Sequence, residues 1–406
     1  MILKRLTKLP LLLLKVLLIL FPLGQLIRIE LPWPEARLYG QDIIIMAIWL
    51  WSYMAIGFKK INWIKIHLFR PIIGFLLIGL VSLLVNFHRF SINEVLVGSL
   101  YLWRWLAYVG IYLAALTLDK KESGKIEEYL LLAGGVGVTL GLTQYVLFPN
   151  AWPLTAGQWD PHVGRIIGTF LDPGFTGLIY VLLISLLLVK VWNKNFQAKK
   201  NYLFYGLLIV AYLALLLTYS RSCYVAFVVG LAIFSLVKRA GKFFVITLAI
   251  FLVSLTLLPR PQGEGTKLER ESTIWSRLEN YQQAWQIIKG HPVFGVGFNL
   301  YRYEQRNQGF LGAKWEISHA GAGTDNSFLF VWATTGIFGL GIYLWLWWRI
   351  ILLGWLNRFQ NFGLVLLTSS GSVVVHSFFN NSLFYAWVMI WIWILIGLTE
   401  RGKRKN

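Results

Sequence analysis

Long apolar stretches, separated by short polar connections, follow one another along this chain. They fall near 9–27, 40–57, 70–87, 93–118, 126–148, 173–192, 202–219, 221–237, 242–258, 326–348, 360–379 and 383–399. A bilayer-crossing helix needs about 20 predominantly apolar residues. The pattern therefore predicts an all-α fold, a polytopic membrane helix bundle of about 12 transmembrane helices. A transmembrane β-barrel would show alternation over segments of about ten residues, which is absent. The one long polar interval, 259–325, is predicted to be a large, partly helical extracytoplasmic loop. Within it, SRLENYQQAWQIIKGHP sets Leu278, Tyr281, Trp285 and Ile288 at helical spacing before a break at Gly290 and Pro292. That spacing predicts an amphipathic helix lying along the membrane surface.

Composition narrows the class further. Of 406 residues, 57% are hydrophobic and only 14% charged, whereas a soluble chain carries roughly 25% charged residues. This excludes a secreted enzyme, a cytosolic enzyme and a disordered chain. The net charge of +20 would suggest nucleic acid in a soluble protein, but no Lys/Arg cluster sits on a soluble module, so no nucleic-acid partner is expected. The basic residues instead sort by side. With the N-terminus inside, 23 of the 38 lie in the inner connections and five in the short outer ones, as the positive-inside rule requires. Merging the spans on either side of Ser220 would put Lys238, Arg239 and Lys242 outside, so that junction is read as a tight outer turn. Both termini are then cytoplasmic, in the plasma membrane. The first span has basic flanks like a signal peptide but no small-x-small cleavage site, and it is expected to be retained. Cys223 is the only cysteine, and the six histidines show no ligand spacing. No disulfide, no protein-bound metal and no cofactor are predicted.

Candidate chemistry gathers on the predicted outer side. Arg165 lies in GRIIGTFLDPG, Arg221 in TYSRS, Arg277 in SRLENYQQAW and Arg302 further along the large loop. Guanidinium groups are permanently charged and grip phosphate oxygens through a planar fork. Convergence of several on one cavity would suit a lipid pyrophosphate; taken singly, each can equally meet lipid headgroups or cap a helix. Arg104 falls near the middle of the fourth span, where it is either functional or half of a structural pair. The loop ends in HAGAGTDNSFLF. There Asp325 can cap the following helix, or supply a carboxylate that orients or deprotonates a hydroxyl. Its neighbour Asn326 and the upstream His319 are further candidates. His376, in HSFFNN, can face the same cavity or simply pack. The turn HPVFGVG is a weak phosphate-loop signal by itself.

Taken in order, GRIIGTFLDPG, LTYSRSCYVAFVVGL, RLENYQQAWQIIKGHPVFGVGFNLY, TDNSFLFVWATTGIFGL and HSFFNNSLFYAW resemble the O-antigen ligase and O-antigen polymerase family. The resemblance covers roughly residues 160–400. It divides the chain into 1–150, N-terminal transmembrane helices 1–5, and 151–400, an O-antigen ligase-like core with helices 6–12 that includes the loop 259–325. It implies a bacterial inner-membrane glycosyltransferase. Such an enzyme moves a glycan from an undecaprenyl-pyrophosphate-linked oligosaccharide donor to a hydroxyl of a glycan or lipid acceptor, without metal and with expected inversion. By this resemblance Arg221 falls on the family's SR motif, Arg277 on the large-loop Arg, and Asp325 on the catalytic position at the loop's end. Ligases acting on the lipid A core carry HN there. Asp325–Asn326 departs from that pattern and favours a surface polysaccharide polymerase, or a ligase with another acceptor. The alternative from a different class is a multi-pass transporter or flippase for lipid-linked or anionic solutes. Twelve spans with both termini inside suit it, but the two related halves typical of transporters are not visible.

Overall fold

A computed structural model describes residues 2–33, 36–57, 62–157, 162–192, 199–259, 261, 263–316 and 323–403. Fourteen α-helices stand among the described residues: α1 Ile2–Leu20, α2 Gly40–Gly57, α3 Phe69–Val85, α4 Ile92–Leu116, α5 Lys120–Leu147, α6 Pro173–Trp192 and α7 Lys199–Leu216. They continue with α8 Arg221–Val237, α9 Gly241–Leu257, α10 Ser272–Gly290, α11 Tyr301–Asn307, α12 Ser327–Leu356, α13 Asn361–His376 and α14 Ala386–Lys403. Each of the twelve apolar stretches coincides with one helix, and α10 is the amphipathic segment of the large loop. A short antiparallel hairpin, β1 Arg28–Glu30 with β2 Arg37–Tyr39, is an addition that the hydropathy pattern does not reveal.

Five helical segments are long and apolar enough to cross a membrane: Lys8–Leu26, Ile92–Leu116, Lys120–Leu147, Pro173–Trp192 and Ser327–Leu356. Five more, including α8, α9 and α13, are apolar but shorter. Among the described residues, length thus supports five spans directly, fewer than the twelve expected. Burial adds a second signature of the bilayer. In α9 only Phe251 is buried, while Val245, Ile246, Ile250, Leu252 and Val253 are exposed. A helix apolar all round with one buried contact needs a lipid environment.

Local sequence signals set several helix starts. Ser91 and Glu94 form a capping box on α4, and Asp119 and Glu122 form another on α5. The centre of the bundle is α14, whose Trp387, Ile390, Trp391 and Ile394 are fully buried. It lies against α4 so closely that a Cβ on Gly397 would stand 2.5 Å from the Ala115 Cβ. Small residues let helix backbones approach in this way.

The connections gather at two ends. At one end, Gln25 Nε2 donates to the Phe170 carbonyl at 2.6 Å, Arg165 Nε to the Thr218 carbonyl at 3.0 Å, and Arg89 pairs with Glu304 at 3.0 Å. At the other, the His67 amide donates to Glu400 at 3.1 Å and Arg401 Nη1 to Ser123 Oγ at 2.9 Å. The large loop belongs to the first end.

The HPVFGVG turn has a structural task there. Helix α12 is broken at Gly336, which has φ 71° and ψ −172°. The turn docks into the break: Val296 N donates to the Ala333 carbonyl at 2.9 Å, Gly297 N to Thr334 at 3.1 Å, and Ile337 N to Pro292 at 2.9 Å. A Cβ on Gly336 would stand 2.0 Å from the Val293 carbonyl oxygen, and one on Gly295 would stand 2.4 Å from the Thr334 carbonyl carbon. These glycines allow two backbones to touch, and the Val296 and Gly297 amides are spent on α12 while that of Gly295 donates to the His291 carbonyl.

Candidate functional site

A cavity of about 360 Å³ opens at the loop end of the bundle. The hairpin and α4 build one wall, with Arg37, Tyr39, Tyr101 and Arg104. The loop's second half and its return into α12 build another, with Tyr301, Arg302 and Asp325. The start of α6 and the turn before α14 close it, with Asp172, Asn380, Asn381 and Tyr385. A concave, partly aromatic site with a few convergent polar groups is the usual form of a small-molecule pocket.

Of the residues singled out from the sequence, Asp325, Arg302 and Arg104 come together here. Asp325 is half-buried, and its amide donates to Asn280 Oδ1 of α10 at 2.9 Å. It does not cap α12, as one reading of the sequence expected. Asn326 does so, its Oδ1 accepting from the amides of Phe328 at 2.9 Å and Leu329 at 3.1 Å. Adjacent Asp and Asn are both good caps; the extended backbone at Asn326, φ −148° and ψ 114°, decides which one serves. Arg302 is buried and donates through Nη1 to the carbonyls of Trp315, at 3.1 Å, and Glu316. It therefore holds the descending part of the loop in place as well as lining the cavity.

Arg104 resolves into a bidentate pair. Its Nε meets Asp42 Oδ1 at 2.9 Å and its Nη2 meets Oδ2 at 3.0 Å, while the Tyr108 hydroxyl donates to Asp42 Oδ1 at 2.7 Å. Tyr39, Tyr101 and Tyr108 surround the guanidinium with ring faces at 5.6–5.9 Å. Asp42 lies in the first turn of α2, so the pair sits at the level of that helix end.

Arg165, Arg221 and Arg277 lie beside the cavity, in a basic cluster with Arg270, which the sequence reading did not single out. Arg165 is buried, and burial followed by the charge of Arg270 lowers its guanidinium to about 10, with Asp172 opposing. Burial, then the charges of Arg221 and Arg277, lowers Arg270 too. Arg270 reaches the Gly265 and Lys267 carbonyls at 2.9 and 2.7 Å, and Arg221 Nη1 reaches the Leu268 carbonyl at 3.2 Å. Arg277 lies over the Phe379 ring at 5.8 Å. Cations held this close raise one another's energy unless an anion joins them. Tyr281, one turn along α10 from Arg277, links cluster and cavity: its hydroxyl donates to the carbonyls of Phe378 and, at 3.4 Å, Asp325.

His376 does not line the cavity. It is fully buried, with Nδ1 2.6 Å from Ser382 Oγ and Nε2 3.2 Å from Ser222 Oγ and 3.4 Å from Cys223 Sγ. Asn380 Nδ2 approaches both Ser222 Oγ, at 3.1 Å, and His376 Nε2, at 3.3 Å. Ser327 N also donates to the Ser377 carbonyl at 2.9 Å. The SRSC, DNS and HSFFNN motifs are thus tied into one polar knot behind the cavity wall. His319 lies outside the described residues.

The amphipathic face of α10 divides differently from its spacing. Ala284, Ile287 and Ile288 are buried, whereas Leu278 and Trp285 are exposed, Trp285 edge-on to Trp332 at 5.6 Å. Among the cavity residues that sequence reasoning missed, Asp172 carried the clearest signal. Asp followed by Pro is a helix-start pair, and its Oδ1 accepts from Phe175 N at 2.8 Å.

Residues 204–344 match the family described as O-antigen ligase. The match supports the O-antigen ligase/polymerase family and spans Arg221, Arg277, Arg302 and Asp325. GRIIGTFLDPG and HSFFNN lie outside it. With the apolar helices, the chain is similar over residues 204–344 to a family of membrane glycan-processing enzymes. No curated protein matches the chain.

Proposed function

We propose that the protein transfers a glycan from an undecaprenyl-pyrophosphate carrier to an acceptor hydroxyl, as a surface polysaccharide polymerase or O-antigen ligase-like enzyme facing outward across the plasma membrane. The observation that carries this reading is the adjacency of two unlike sites: a cavity presenting Asp325, and a cluster of four arginines beside it, joined through Tyr281. The donor's pyrophosphate sits at Arg221, Arg270 and Arg277, and its first sugar reaches into the cavity. The Asp325 carboxylate orients the acceptor hydroxyl and receives its proton. The acceptor oxygen bonds to the anomeric carbon as the bond from that carbon to the phosphate oxygen breaks. The electron pair leaves with the pyrophosphate, where the arginines take up the developing charge. Attack opposite the leaving group inverts the anomeric centre, and no metal is needed. In the division 1–150 and 151–400, the second part carries these residues and the first supplies the Arg104 wall.

The test is transfer by purified protein from an undecaprenyl-pyrophosphate oligosaccharide with EDTA present, read by gel and mass spectrometry. Wild type should lengthen or transfer the glycan and release the carrier. Arg277→Ala and Asp325→Asn should each lose about a hundredfold in rate, the scale of removing an acid–base or charge-stabilising group. His319→Gln in the same assay separates the two candidate bases. Full activity in both the Arg277 and Asp325 variants would remove the assigned site, and a trapped glycosyl-enzyme adduct would exclude direct inversion.

A further inference from the structure

Helix α11 carries Tyr301 and Arg302 to the cavity, and two ion pairs grip it from the N-terminal part of the chain. Arg89, in the turn between α3 and α4, meets Glu304 at 3.0 Å. Arg306 meets Glu94, in the first turn of α4, at 2.6 Å. The carboxylate side chains are enclosed, at 5% and 12% exposure, and the arginines less so, at 25% and 31%. Pairs at this depth are screened less than fully exposed ones. Glu304 also accepts from Gln308 Nε2 at 2.8 Å, and Glu94 from the Ser91 amide at 2.8 Å within the α4 capping box. Arg89 Nη1 donates to Asn86 Oδ1 at 3.2 Å, and Arg306 lies over the Trp315 ring at 4.8 Å. His291 faces the first pair. Burial and then Arg89 lower it below its ordinary value, with Glu304 opposing, so it adds no positive charge there at neutral pH.

The signs of the two pairs are crossed. The α3–α4 side offers a cation and then an anion, and α11 offers an anion and then a cation, across 215 and 212 residues of sequence. Shifting or reversing α11 on this surface would set Glu304 against Glu94 and Arg306 against Arg89. The charges therefore select one placement. What α11 carries depends on that placement. Tyr301, Arg302 and Tyr303 line the cavity, and Arg302 Nη1 holds the Trp315 and Glu316 carbonyls. Asp325 instead takes its backbone position from Asn280 on α10, and Arg221 and Arg270 take theirs from the carbonyls of Leu268, Gly265 and Lys267. Between α11 and α10 runs a longer contact, Gln305 Nε2 to Gln283 Oε1 at 3.3 Å.

We propose that Arg89, Glu94, Glu304 and Arg306 are positioning residues: their crossed pairs clasp α11 to the N-terminal helices and so set the cavity wall that receives substrate. The docking stands by itself, and its effect on substrate rests on the transferase reading. The clasp serves binding more than bond making, because it places the wall and not the Asp325 carboxylate.

The test compares purified full-length proteins in nanodiscs by hydrogen exchange, read by mass spectrometry, and by transfer kinetics. Arg89→Gln and Arg306→Glu each break one pair. Glu304→Gln and Glu94→Gln then remove the charge left behind, and Gln at position 94 keeps the capping box. Each Arg variant alone should exchange the α11 amides about tenfold faster, a loss between those of an exposed and a buried pair. Each should also raise KM for the undecaprenyl-pyrophosphate oligosaccharide about tenfold on the same scale, with kcat little changed. Adding the opposite Gln change should recover most of both losses, because the unpaired enclosed charge is gone. Packing of Arg306 on Trp315 alone would give no such recovery. Unchanged α11 exchange in both Arg variants would overturn the proposal. So would double variants that recover nothing, or a fall in kcat with KM unchanged. Faster exchange shared equally by α4 and α12 would make the pairs contacts of the whole fold and overturn it too. A wild type that transfers nothing would remove the transferase reading, and α11 exchange would then decide the clasp by itself.

Discussion

Asn280, on the loop helix α10, accepts the backbone N–H of Asp325 at 2.9 Å. The loop helix thereby fixes the backbone of the carboxylate that enters the cavity, across 45 residues of sequence. In Asn280→Ala that amide loses its partner. A hydrogen bond of this kind contributes about 0.5–1.5 kcal/mol, so the fold should survive with a small fall in unfolding temperature. On the role proposed for Asp325, the transfer rate should fall about tenfold, because a misplaced catalytic group costs more in rate than in stability. A rate equal to wild type would show that α10 does not position Asp325.

The Arg104–Asp42 pair offers a stability test. Both side chains are largely enclosed, at 19% and 6% exposure. Removing one partner of a buried pair costs about 3–5 kcal/mol, whereas replacing both with apolar residues costs far less. Arg104→Met should therefore lower the unfolding temperature more than Arg104→Met combined with Asp42→Leu. Equal losses would show that the charge left behind is not the destabilising element.

The break in α12 makes a backbone prediction. Gly336→Ala must hold φ 71° and place a methyl 2.0 Å from the Val293 carbonyl oxygen. The φ penalty alone is about 1–2 kcal/mol, and the overlap separates the GVG turn from the helix. Gly341, five residues on, has open space around its Cβ position. Gly341→Ala should be neutral or stabilising by up to about 1 kcal/mol. Thermal unfolding in one detergent compares the two, and a well-folded Gly336→Ala protein would contradict the docking role of the turn.

His162 yields a pH dependence with a definite sign. Its folded-state value, about 3 through burial and then the charges of Arg165 and Arg270, lies below the ordinary 6.5. Between these values the unfolded chain takes up a proton that the folded one refuses. Stability from this group is therefore unaffected above pH 6.5 and falls as the pH drops from 6.5 toward 3. His162→Gln should unfold less steeply than wild type across that window and match its pH response above it. Parallel acid curves would show that His162 is hydrated in the folded protein.

The helices were legible because bilayer-scale hydropathy is a local property, and every apolar stretch became a helix. The loop helix was legible from its spacing, but the side it turns inward was not. Leu278 and Trp285 share the apolar face with Ile288, and only the position of α12 and the turn before α14 selects which of them are covered. Asp325 stood out by its place at the loop's end. Asn280 and Tyr281, which hold it, carry no signal of their own within a helical run. Arg104 was conspicuous as a charge within a span. Its partner Asp42 lies 62 residues away, on an element whose distance from α4 no local pattern encodes.

By itself, the chain determined an apolar helical protein, the order of its segments and a set of cationic and acidic residues gathered in a few connections. These follow from transfer free energies and charge, which each residue carries wherever it stands. Tertiary packing decided the rest: that Asn326 rather than Asp325 caps α12, that the glycine turn docks a broken helix, and that His376 is sealed behind the wall. It also decided that Asp172, Arg37 and Arg104 share a cavity with Asp325. Such outcomes depend on backbone geometry and on contacts between residues far apart in sequence, and close packing settles them only when all the helices are in place.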